Sequence, residues 1–62
     1  MKLETVRDVE ARLNDGLDRT PEEREMCVHW LTEYMAANQL TLKQLDELCF
    51  TDSVWVFEQI FG

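Results

Sequence analysis

Sixty-two residues, 45% of them apolar, make one small domain near the lower limit at which a chain folds without a metal, a disulfide or a second copy. Thirteen acidic residues against six basic give a net charge of −7, and after Arg19 only Arg24 and Lys43 are basic. This balance argues against a protein that binds nucleic acid or an anionic membrane by itself, because both draw affinity from Lys and Arg, and it makes a basic protein surface the natural complement.

Met1-Lys2-Leu3-Glu4 is followed by no apolar stretch of signal-peptide type, and no run approaches transmembrane length, so a cytoplasmic protein is expected. In that compartment Cys27 and Cys49 are reduced thiols, and their apolar neighbours predict small core residues.

Leu3, Val6, Val9 (or Glu10), Leu13 and Leu17 recur at helical spacing and predict a first helix ended by Asp15-Gly16, with Gly16 left-handed. Its other face, Glu4, Arg7, Asp8, Arg12 and Asp15, is mixed in sign and expected to be solvated. Thr20-Pro21-Glu22-Glu23 is the clearest local signal. Thr20 is a helix N-cap, Pro21 suits the first helical position, and Glu23 reaches back to complete a capping box. That helix should run to about Asn38, with Met26, Trp30, Tyr34 and Ala37 as its apolar stripe, widened by Cys27, Leu31 and Met35. A second capping box, Thr41-Leu42-Lys43-Gln44, opens a third helix, where Leu40 and Leu45 fit a hydrophobic staple. Here Leu42, Leu45 and Leu48 should face inward and Lys43, Asp46 and Glu47 outward, with Cys49-Phe50-Thr51 turning into the last helix.

Phe50 to Gly62 carries Phe50, Val54, Trp55, Val56, Phe57, Ile60 and Phe61, with Thr51-Asp52-Ser53 able to cap a helix from the front. So many large apolar residues surround more of a helix than one buried stripe needs. Either the other helices wrap this segment or part of it is left for a partner. The fold expected is all-α, a compact bundle of four short helices around Trp30, Leu45, Val54 and Phe57 in a single domain spanning 1–62.

Catalytic and cofactor chemistry finds little support. His29 is the single histidine, and Glu25 and Glu33 beside it make a weak metal site conceivable, but a surface histidine between carboxylates is the simpler reading. Gly16 and Gly62 cannot build a phosphate loop, and the one serine, Ser53, reads as a cap. No enzyme, cofactor or metal is expected. Residues 41–61 have the pattern of a helix–turn–helix, yet the second helix offers Asp52, Glu58 and Gln59 and no positive charge, which is wrong for reading DNA directly.

Ser53-Val54-Trp55 followed by Phe57 resembles the C-terminal ending of the Hha/YmoA family of small enterobacterial helical regulators. Leu40-Thr41-Leu42 with Leu45, Met26-Cys27-Val28-His29-Trp30, Leu3-Glu4-Thr5-Val6 and Leu13-Asn14 extend the likeness over most of the chain. The resemblance implies a four-helix fold that docks on the dimerisation domain of the nucleoid protein H-NS, acidic side chains meeting basic ones. The chain departs from the family pattern in three ways. It begins where the family's second helix would, so the basic first helix is absent. A family Asp falls at Tyr34, with Glu33 adjacent. The net charge is opposite to what reinforcing a grip on DNA requires. These departures imply a decoy or antagonist rather than a co-repressor.

The leading expectation is therefore a non-catalytic regulator that binds a basic, nucleic-acid-associated protein. The candidate partner-binding residues are Glu22, Glu23, Glu25, Glu33, Tyr34, Asp46, Glu47 and Trp55. The alternatives are an inhibitor of mobile-element or phage type whose carboxylates mimic DNA phosphates, and a structural homo-oligomer that buries the last helix against its own copy.

Overall fold

The computed structural model describes residues 3–62; Met1 and Lys2 of the opening tetrapeptide lie outside the described residues. The chain is all-α, with α1 at Val6–Leu13, α2 at Pro21–Asn38, α3 at Leu42–Thr51 and α4 at Ser53–Phe61. Its radius of gyration, 10.6 Å, is what a close-packed chain of this length has.

The first three helices begin alike. Thr5, Thr20 and Thr41 each accept the N–H of the third helical residue on the side-chain hydroxyl, and the side chains of Asp8, Glu23 and Gln44 accept the threonine's own N–H in return. Capping boxes matter in short helices, where unpaired terminal N–H groups are a large share of the total. The box at Thr5 was not read from the sequence, although Thr-x-x-Asp is a close variant of the two that were.

Helix ends are more varied. α1 stops at Leu13, sooner than expected, and the chain turns through Asn14–Leu17 with the Leu17 N–H donating to the Asn14 carbonyl at 2.9 Å. Gly16 takes φ 79° there, the positive value that the third position of such a turn requires. α2 closes on Gln39, which is left-handed at φ 53° and ψ 45°. The Leu40 N–H reaches back to the Met35 carbonyl at 3.0 Å and the Gln39 N–H to that of Ala36 at 3.4 Å, the bonding of a Schellman motif. Leu40 and Met35, which flank that closure, both pack against the core. A left-handed glutamine costs about 1 kcal/mol, which this contact offsets.

Each helix sends at least one residue to the centre: Val9 from α1, Leu31 from α2, Leu45 and Cys49 from α3, Val56 from α4. α1 lies against both α2 and α3, while α4 rests more lightly on α2 and α3. The expected centre is thus corrected in three places. Leu45 is fully buried, but Trp30 and Phe57 are only half-buried and Val54 is 69% exposed. Leu17 and Met26, expected on inward stripes, are each 47% exposed, and Ala37 is exposed as well. On α2 the buried line runs through Cys27 and Leu31, which the sequence had placed at the stripe's margin. Trp30 is half-buried in ring contacts with Tyr34 and Trp55, and the Phe57 ring lies against the Arg19 guanidinium, so neither reaches the centre.

The final connection also differs. α3 continues through Cys49, Phe50 and Thr51, and Asp52 alone separates it from α4. Asp52 makes no side-chain capping bond, and the Thr51 hydroxyl donates backwards to the Glu47 carbonyl at 2.9 Å. A DNA-reading helix–turn–helix uses a turn of about three or four residues, so this junction is not of that kind. Among the described residues no helix is long and apolar enough to cross a membrane.

Candidate protein-binding surface

Charge decides which groups can face a partner. Arg24 lays its guanidinium along the Glu10 carboxylate, Nε at 3.0 Å from Oε2 and a terminal nitrogen at 3.1 Å from Oε1, a two-pronged pair linking α2 to α1. Glu10 is only 1% exposed, and its Oε2 also accepts the Asn14 amide at 2.7 Å. The Arg19 Nε donates to Asn14 Oδ1 at 3.3 Å, and the Arg19 guanidinium sits 4.6 Å from the ring centres of both Phe57 and Phe61. This line of contacts ties α1, the following loop, α2 and the end of α4. No buried side-chain nitrogen or oxygen among the described residues lacks a partner. The sequence offered one signal for it, the alternative of Glu10 to Val9 on the inward face of α1; both are buried.

The two remaining arginines bridge helices at the surface, Arg7 to Glu25 at 2.7 Å and Arg12 to Asp46 at 3.4 Å. The face of α1 expected to be merely solvated therefore takes part in the fold: Arg7 and Arg12 pair across helices and Asp8 closes the capping box. Among the described residues two basic side chains make no ion pair, Arg19, which is held by Asn14 and the two phenylalanine rings, and Lys43. Asp15, Asp18, Glu22, Glu33, Glu47, Asp52 and Glu58 are all exposed and, among the described residues, take part in no ion pair or side-chain hydrogen bond.

The predicted binding residues divide accordingly. Glu22, Glu33 and Glu47 are exposed and available. Glu23 is engaged at the Thr20 N–H, 2.9 Å away, which holds its carboxyl below the usual value; Asp8 is held down in the same way by the Glu4 and Thr5 N–H groups. Glu25 and Asp46 have the arginine partners just described. Tyr34 and Trp55 do come together. Tyr34 stacks on Trp30 at 4.8 Å, and Trp55 meets both rings edge-on at 5.9 and 5.8 Å, so the three half-buried rings join α2 to α4.

His29, Glu25 and Glu33 do not converge: no group of three or more potential metal-binding side chains forms among the described residues. Both cysteines are free and buried, as small core residues. Burial raises the Cys27 thiol, and burial with the nearby Asp46 carboxylate pushes Cys49 up to about 11, so both are neutral thiols at physiological pH.

The feature not anticipated is a cleft of about 590 Å³ between α1 and the α3–α4 junction, lined by Ala11, Leu13, Asp15, Asp46, Cys49 and Phe50 among others. Phe50 is 83% exposed. The surplus apolar bulk of the C-terminal segment is therefore not wholly wrapped by the other helices: Phe50 and Val54 face solvent while Val56 is enclosed.

No family model, curated protein or solved structure matches the chain.

Proposed function

We propose that this protein is a non-catalytic regulator that binds a basic, nucleic-acid-associated protein through outward carboxylates, Glu22, Glu33 and Glu47 among them, and through the Tyr34–Trp55 aromatic edge. The observation that carries this reading is the disposition of charge. Arg7, Arg12, Arg19 and Arg24 are all engaged within the fold, and the carboxylates without partners point outward. Such a surface attracts a positive one and repels phosphate. The resemblance to the Hha/YmoA family makes the H-NS dimerisation domain the first partner to try, with this chain as its decoy or antagonist.

The test is retention of the chain on immobilised H-NS dimerisation domain. Binding at low salt that weakens as salt is added, and weakens again with Glu33→Lys, supports the proposal. Absence of retention at low salt rejects that partner. The inhibitor reading, in which carboxylates stand in for DNA phosphates, differs in one outcome: the chain would compete with DNA for its target. Reversal at Glu22 and Glu33 suits that assay, because neither carboxylate is used to hold the fold.

A further inference from the structure

We infer that the cleft between α1 and the α3–α4 junction is the docking site for a cationic amphipathic helix of the partner protein, which seats apolar side chains against Phe50 and sets Lys or Arg residues against Asp15, Glu47 and Asp52. The inference rests on the proposed function in taking from it the partner's positive charge; it adds where that partner binds and in what form.

The lining combines apolar groups with acid. Ala11, Leu13 and Phe50 give the cleft an apolar side, and Val54, one residue after the lining residue Ser53, is 69% exposed. Holding Phe50 at 83% exposure forgoes the burial an aromatic side chain normally gains, and a seated partner recovers it. The volume of about 590 Å³ accommodates one or two large side chains. Helix-in-groove recognition works this way, with anchors one turn apart entering an apolar groove.

Charge complementarity selects the occupant. Arg12, the one cation in the lining, is already held by Asp46 at 3.4 Å. Asp15 in the lining, Asp52 beside Ser53, and Glu47 three residues before Phe50 on α3 are exposed and without ion pairs. A second copy of this chain would bring these same carboxylates, and a net charge of −7, against themselves. A cationic helix meets both halves of the surface at once.

The experiment titrates the isotope-labelled full chain with a synthetic Leu/Lys amphipathic helix and, separately, with polylysine. The amphipathic helix is expected to shift the backbone resonances of Ala11, Leu13, Asp15, Cys49, Phe50 and Ser53. Phe50→Ser should weaken it roughly tenfold while leaving the helical circular dichroism unchanged, since that side chain is outside the core. Val54→Ser, also outside the core, should weaken it in the same direction. Polylysine, which lacks the apolar face, should bind less tightly and ignore both substitutions. Shifts gathered on Glu22 and Glu33, with both serine variants neutral, would overturn the cleft while sparing the proposed acidic function. Failure of both polycations to bind at low salt removes both readings. A dimer by light scattering that Phe50→Ser dissociates would assign the cleft to self-association instead.

Discussion

Where α1 meets α2, a carboxylate that is 1% exposed has an arginine fork and an asparagine amide around it, and the chain of contacts continues through Arg19 to two aromatic rings of α4. Where α3 meets α4, one uncapped residue joins the helices, and large apolar side chains stand in water beside carboxylates without partners. Arg7, Arg19 and Arg24 are held in the first region, and the most exposed large apolar side chains, Phe50 and Val54, stand in the second. The contacts of the first region lie within the fold, and the second is where we propose that a partner binds.

The largest effect should come from the centre that both regions share. Leu45→Ala removes a fully buried side chain from the core cluster to which all four helices contribute and should cost about 2–5 kcal/mol by chemical denaturation, enough to unfold so small a domain. Next is an asymmetry within the polar region. Arg24→Met strands the buried Glu10 carboxylate with only Asn14, whereas Glu10→Met leaves a half-exposed arginine that water can solvate. Denaturation midpoints should therefore fall further for Arg24→Met; equal losses would mean that Glu10 is less buried than it is here.

Helix caps separate the two regions more gently. Thr41→Ala should cost about 1 kcal/mol, and Asp52→Ala less than about 0.5 kcal/mol, because only the first residue makes a capping bond. Thermal melts of the pair measure the difference directly. The caps also set the acid response. Asp8 and Glu23 have native pKa values below their ordinary 3.8 and 4.5, so the stability they lend is complete above those values and is lost as pH falls through the lower native ones. The thiols act at the other limit. Cys49 is raised from 9.0 to about 11, so its share is complete below pH 9 and disappears as pH rises toward 11. Melts across pH should decline in both directions, with the alkaline decline reduced in Cys49→Ala.

Much of this plan was legible in the residues. Thr20, Pro21 and Glu23 announce a helix start through local bonds alone, and Thr41 with Gln44 does the same, so four helices could be read in order. The positions that misled are those decided by distant partners. Val54 and Leu17 are apolar at helical spacing, yet which side of a helix is covered depends on how α1 and its loop pack, and nothing local records that. Arg24 reads as one more charge on a helix surface until Glu10, fourteen residues earlier, is placed against it. Tyr34 and Trp55 were each named as binding residues, though not as neighbours, whereas the cleft at Phe50 draws on three helices and the loop after α1 and so had no signature in any one stretch.

The separation of duties can be measured on a single variant. Phe50→Ser should leave the unfolding free energy within about 0.5 kcal/mol of the parent and, in the same sample, lower affinity for a cationic amphipathic helix roughly tenfold. A variant that loses stability and keeps its affinity would show that Phe50 belongs to the fold, and that the acidic, apolar surface around it is not where a partner binds.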